Sequence, residues 1–220
     1  MQLEGKVAVI TGGASGLGRA TTRLFREAGA KVAIFDMNAD LGEKYAAGFG
    51  ADGTVFHRVD VTSDEATAAA VAAVAERFGR IDICVNCAGV ANPGKILDRE
   101  GRAKPLAAYE TVVRINLVGT FNVMRLCVEQ MAKNEPDAGG ERGVVINVAS
   151  AAAFDGQIGQ SAYSSSKGGV VSMSLPAARE LGPLGIRVNA IAPGLFRTEM
   201  AESLGEKVLD AITETIEAPR

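Results

Sequence analysis

The chain has 220 residues, 47% of them hydrophobic and 22% charged, with a formal net charge of -3. A chain of that length fits one domain that buries roughly 70% of its unfolded surface, and its charge balance offers no electrostatic footprint for nucleic acid or an anionic membrane. One histidine leaves almost no material for a histidine relay or a multi-histidine metal site, and no metal is expected.

Strands and helices alternate along the whole sequence. The first strand is read over Lys6 to Thr11, so close to the start that no N-terminal signal is read before it. The helix that follows carries Leu17, Ala20, Leu24, Phe25 and Ala28 at helical spacing, and Gly29 closes it where a left-handed residue is needed. Val32 to Phe35 is the second strand and Thr54 to Val59 the third, with His57 as a structural strand residue. Thr62 or Ser63 caps the next helix, and Asp64 and Glu65 suit its first turn. The apolar stretch Ala68 to Ala75 is far too short to cross a bilayer, and no other run reads as a span.

Ile81 to Asn86 is the fourth strand. Ala91 to Ala108 is a long connection with Pro93, Gly94, Gly101 and Pro105, and connections of that length are often functional. A long helix covers about Tyr109 to Asn134, Gly143 to Val148 is the fifth strand, Ser161 to Leu181 a helix, and Ile186 to Ala190 the sixth strand. Short, nearly continuous apolar strands alternating with helices predict an α/β fold: a doubly wound parallel sheet of Rossmann type, helices on both faces, as one domain over 1–220. Cys84 and Cys87 form a C-x-x-C, but three positions apart in a strand face opposite sides, so these two and Cys127 read as structural. The odd cysteine count favours a reducing cytoplasm.

Two groups of residues carry chemistry. Thr11-Gly-Gly-Ala-Ser-Gly-Leu-Gly18 lies between the first strand and its helix. Gly12, Gly16 and Gly18 let the backbone approach a pyrophosphate, and Ser15, Gly16 and Leu17 open the helix, whose N-terminus offers free N–H groups. The spacing is neither the commoner G-x-G-x-x-G nor a P-loop, since no lysine follows the last glycine. Asp36 ends the second strand, where an acid accepts hydrogen bonds from ribose hydroxyls and repels a 2′-phosphate. With Met37 after it and Ser15 before Gly16, the cofactor expected is NAD rather than NADP.

The second group is Tyr163 and Lys167, four apart on one helix face, with Ser150 at the end of the fifth strand. A phenolate at neutral pH needs about 4 kcal/mol of help, and a nearby cation supplies part of it. Tyr163 then exchanges a proton with an alcohol or carbonyl oxygen, and Ser150 hydrogen-bonds that oxygen. Ser164-Ser-Ser-Lys167 also matches the S-x-x-K of serine acyl-transfer enzymes, but its companion elements are absent.

On these residues the chain resembles the NAD-dependent short-chain dehydrogenases/reductases over nearly its whole length. The glycine turn is matched at Thr11 to Gly18, the adenine-pocket pair at Asp60-Val61, and the N-N-A-G element at Asn86-Cys87-Ala88-Gly89, with Cys87 in place of the second Asn. The catalytic tetrad is matched by Asn116, Ser150, Tyr163 and Lys167, and the P-G-x-x-x-T element by Pro193, Gly194 and Thr198. The resemblance implies that Lys167 also holds the nicotinamide ribose and that Asn116 anchors a water. It further implies a homo-oligomer, dimer or tetramer.

Within the family the chain is most similar to a subgroup acting on 3-hydroxyacyl-CoA, through Asn116 to Val123, Asn134 to Asp137, Ala153 to Gln157, Leu184 to Val188 and Ala192 to Phe196. By that resemblance Gln157 contacts the substrate oxygen, and segments near 91–108 and 195–220 face the substrate. Lys95, Arg99, Arg102 and Lys104 either meet CoA phosphates or form a solvated mixed-charge loop with Asp98 and Glu100. Relatives continue past Arg220 with a further helix and strand, so the sixth strand is expected at a sheet edge. The activity expected is interconversion of a secondary alcohol and a ketone, with 3-hydroxyacyl-CoA as the substrate the resemblance implies. The alternatives are a hydroxysteroid or other small alcohol, or a non-catalytic dinucleotide-binding module.

Overall fold

A computed structural model of the chain describes residues 2–50, 52–202 and 205–214. Six parallel strands form one sheet: β1 (Val7–Thr11), β2 (Lys31–Asp36), β3 (Thr54–Arg58), β4 (Ile83–Asn86), β5 (Gly143–Val148) and β6 (Ile186–Ile191). Their order is β3-β2-β1-β4-β5-β6, so the chain runs outward from β1 in one direction, returns, and runs outward in the other. The reversal lies between β1 and β4, and a crevice opens there beyond the carboxyl ends of the strands. Thr11, Asp36, Asn86 and Val148 are all carried to that end.

The helices are α1 (Gly16–Glu27), α2 (Ala39–Ala47), α3 (Asp64–Phe78), α4 (Leu106–Val113), α5 (Gly119–Met131), α6 (Ser161–Leu181), and the short α7 (Glu199–Glu202) and α8 (Glu206–Glu214). The strands separate two cores. Val9, Phe35, Cys84 and Val145 pack with α3, α5 and α6 on one face, whereas Ala8, Ile10, Ile34 and Val85 face the other. Cys84 lies in the first core and Cys87 against the second, as strand alternation requires. His57 stands edge-on to Phe35, ring centroids 5.8 Å apart, and burial lowers its pKa.

Local signals account for most boundaries. Gly29 has φ 81° after α1, and the Ser63 side chain accepts the Ala66 N–H at the start of α3. The helix α2 is not anticipated by its apolar spacing. Its signal is Asn38, whose side chain accepts the Leu41 N–H, and its Gly42 packs so closely on the Phe56 ring that no Cβ fits there.

The long helix starts at Leu106, earlier than its pattern suggests, and is broken by a π turn over Arg114–Val118. From Leu106 to Met131 it is long and apolar enough to cross a membrane, contrary to the expectation that no segment is. Here Val123, Met124, Cys127 and Met131 are instead buried against the sheet.

Among the described residues β6 is a sheet edge. The 91–108 connection is pinned by a Leu97–Ala103 bridge. Arg102 pairs with Asp98 and Glu100, which favours the solvated mixed-charge reading of this loop.

Candidate active site

The crevice is a cavity of about 800 Å³. One wall comes from the turn after β1. Gly12 and Gly16 have φ of 61° and 49°, a region that favours glycine. A Cβ on Gly18 would collide with the Gly12 carbonyl, and one on Gly12 would come within 3.1 Å of the Ala88 backbone. The glycines thus keep a cradle open between two backbone segments. Thr11 Oγ1 accepts the Ala88 N–H at 3.0 Å and ties the ends of β1 and β4 together. Ser15 stands at the N-cap of α1 without a side-chain cap.

Asp36 closes this wall. Its carboxylate accepts the Ala14 N–H and the Asn38 N–H, both at 3.1 Å, and borders the cavity beside Met37. Asp60 and Val61 also line the cavity, and the Asp60 carboxylate accepts the N–H and the hydroxyl of Thr62 in the turn that starts α3. Ala88 and Gly89 form part of the floor. Asn86 lies beneath it in the sheet, fully buried, donating to Asn147 at 2.9 Å. A diphosphate, a ribose and an adenine fit the glycine cradle, Asp36 and Val61 in that order.

The opposite wall holds Ser150, Tyr163 and Lys167. Ser150 follows β5, and its hydroxyl accepts the Ala152 N–H at 3.2 Å. Burial raises the pKa of Tyr163, and a hydrogen bond with Ser150 only partly opposes that. Lys167 is buried, and desolvation lowers its pKa to about 8. Its Nζ donates to the Val148 carbonyl at 2.7 Å and lies 5.8 Å from the centroid of the Tyr163 ring.

The ammonium is thus hydrogen-bonded to a carbonyl, and burial is the main influence on the Tyr163 phenol in this cavity. The thiol of Cys87 also lines this region, and burial pushes its pKa up to about 12.

Asn116 sits on the π turn, fully buried. Its amide accepts the Val90 N–H at 2.8 Å and donates to the Val90 carbonyl at 2.9 Å and to Ser166 at 3.0 Å. With that side chain spent, Asn116 holds the loop after β4 against α6 rather than reaching into the cavity. Gly89 lies between, where a Cβ would meet Asn116 Oδ1 at 3.1 Å and Lys167 Nζ at 3.5 Å.

Gln157 lines the outer end of the cavity, held by a hydrogen bond from its N–H to Gln160. Pro193, Gly194 and Thr198 line the side below β6. The Pro193 carbonyl accepts the Ala151 N–H beside Ser150, and Thr198 lies against Gly16.

Two lining residues have no motif to announce them. Gln160 is placed by the turn into α6. Glu199, far away in sequence, accepts the Gly16 N–H at 3.1 Å.

Comparison with known proteins agrees with this construction. Residues 6–209 match the family model for short chain dehydrogenases. The 3-hydroxyacyl-CoA dehydrogenase type-2 of Homo sapiens is 49% identical over 218 residues, which is 99% of this chain and 83% of the relative. The crystal structure of 3-hydroxyacyl-CoA dehydrogenase type-2 from Mycobacterium avium superposes with a TM-score of 0.88 at 36% identity, covering 96% of this chain and 83% of that one. The 3-ketoacyl-(acyl-carrier-protein) reductase of Brucella melitensis complexed with NADH gives 0.80 at 34% identity, covering 90% and 79%. A parallel sheet with its glycine cradle at the reversal, an acid at the end of β2 bordering the cavity and a Tyr-x-x-x-Lys with its lysine buried, matched along almost the full length, place this chain in the short-chain dehydrogenase family, as an NAD-dependent oxidoreductase.

Proposed function

We propose that the protein interconverts a 3-hydroxyacyl-CoA and its 3-oxoacyl-CoA. The observation that carries this reading is the convergence of Ser150, Tyr163 and Lys167 on the same cavity as the glycine cradle and Asp36. The substrate class is supported by relatives of that name at 46% to 49% identity over almost the entire chain.

Bound in this cavity, NAD would supply the acceptor for the hydride of the carbinol carbon. Gly12, Gly16, Gly18, Ser15 and Leu17 would cradle its diphosphate and Asp36 its adenosine ribose. Lys167 would hold the second ribose, with Ala88, Gly89, Pro193, Gly194 and Thr198 around the reacting ring.

Ser150 holds the substrate oxygen by hydrogen bonding, and Tyr163 exchanges the proton of the substrate hydroxyl. As a half-buried phenol whose pKa is raised by desolvation, Tyr163 is set to donate in the direction of carbonyl reduction. In the direction of oxidation it needs added positive charge nearby to accept the proton, because burial disfavours the phenolate. Lys167, mostly protonated at neutral pH, supplies part of that charge. Asn116 positions these groups through Val90 and Ser166. Gln157 contacts the acyl oxygen at the cavity mouth.

The protein is further proposed to form a dimer or tetramer through the outer faces of α5 and α6. Phe121 and Leu175 are exposed there, and Val118 just before them.

A spectrophotometric NADH assay run in parallel on acetoacetyl-CoA, a ketosteroid and a 3-oxoacyl carrier protein tests the substrate class. Preference for acetoacetyl-CoA is expected. A higher kcat/KM on the steroid or the carrier protein would replace the reading.

A further inference from the structure

The N-terminus of α1 is occupied by a group from the far end of the chain. This helix of twelve residues has no acid in its first turn and no side-chain cap from Ser15. The acceptor at its Gly16 N–H is the Glu199 carboxylate, at 3.1 Å. Glu199 begins α7, and no salt bridge to it forms among the described residues. The nearby Arg197 pairs with Glu202 instead.

The strap carrying Glu199 is anchored at both ends. Thr198 Oγ1 accepts the Ala201 N–H at 3.3 Å, and the Thr198 side chain lies 3.5 Å from where a Cβ of Gly16 would be. Ala201 is buried, and the Pro193 carbonyl is bonded to the Ala151 N–H beside Ser150.

The Glu199 carboxylate therefore sits where the helix N–H groups and dipole favour an anion. Given the dinucleotide reading of the cavity, this is also the place for the cofactor diphosphate. One N–H cannot serve both anions, and two like charges in contact repel. We propose that Glu199 competes with the cofactor diphosphate for the N-terminus of α1, so that this side chain limits dinucleotide affinity and is displaced from the Gly16 N–H when the cofactor enters.

The test compares the full chain with Glu199→Gln, which keeps the shape and removes the charge. Calorimetric titration is run with NADH, with ADP-ribose, which carries the diphosphate, and with adenosine, which lacks it. The variant is expected to bind NADH and ADP-ribose about two- to fivefold more tightly, the range for an anion at an exposed helix N-terminus, with adenosine unchanged. The backbone amide resonance of Gly16 in the cofactor-free protein is expected to shift in the variant.

Equal or weaker binding of ADP-ribose by the variant would overturn the proposal. So would an equal gain for adenosine, or an unmoved Gly16 resonance. If neither protein binds NADH, the cofactor assignment itself fails and takes the proposal with it, an outcome distinct from equal binding by both. Glu199→Ala, which also removes the acceptor, should show at least the same gain, and melting curves of all three proteins verify that each is folded.

Discussion

Lys167 donates a 2.7 Å hydrogen bond to the Val148 carbonyl at the end of β5, with no carboxylate paired to it among the described residues. A buried ammonium held by a neutral carbonyl is costly. Desolvation pulls its pKa from 10.5 to about 8, equivalent to a penalty on the order of 3 kcal/mol in the charged state.

The sign of the pH dependence follows. Below about pH 8 the lysine is charged in both the folded and the unfolded chain, and the penalty is fully present. Between that pH and the unfolded value, the unfolded chain binds more protons, so the penalty fades as pH rises. Lys167→Met is therefore expected to melt about 5 °C higher than wild type at pH 7, after about 1 kcal/mol is subtracted for the orphaned carbonyl. The gap should narrow above pH 8, and turnover should be lost. Differential scanning calorimetry across pH checks this. A variant that melts lower at pH 7 contradicts it.

Tyr163→Phe keeps the ring that packs beneath Lys167 and removes the phenol. Turnover is expected to fall by about 10²–10⁴, with NADH affinity largely retained. Retention of more than about a tenth of the wild-type rate would show that Tyr163 is not the proton-exchanging group.

Asp36 accepts two backbone N–H groups while bordering the cavity, so it shapes the turn and is proposed to receive the adenosine ribose. NAD should be clearly preferred over NADP, and Asp36→Ser should loosen that preference by removing carboxylate–phosphate repulsion and a ribose contact together. Dissociation constants for both cofactors with both proteins decide the matter. Equal wild-type affinities would refute the role.

The thiol of Cys87 lines the cavity, but its pKa of about 12 leaves almost no thiolate at neutral pH, and Cys84 and Cys127 are buried. Native protein at pH 7.5 is expected to react slowly with a disulfide reagent at all three positions, and guanidinium-unfolded protein rapidly. Fast reaction of one thiol in the native state would show that Cys87 is more open than the structure places it.

Much of this protein is determined locally. The alternation of β-type and helical periodicity dictates the parallel sheet. The glycines of the first turn are required by close backbone approach, and the four-residue spacing of Tyr163 and Lys167 puts them on one helical face. Each depends on neighbours in the chain, so the sequence by itself carries it.

What only the tertiary structure decided depends on contacts between distant segments. The π turn at Asn116 and the use of its amide on Val90 and Ser166 depend on how α6 packs against the loop after β4. Tyr163 and Lys167 have pKa values governed by burial, which is a property of the closed cavity and not of a four-residue spacing. Glu199 reaches Gly16 across 183 residues, because the strap after β6 folds back over the mouth of β1, and no local pattern encodes that meeting.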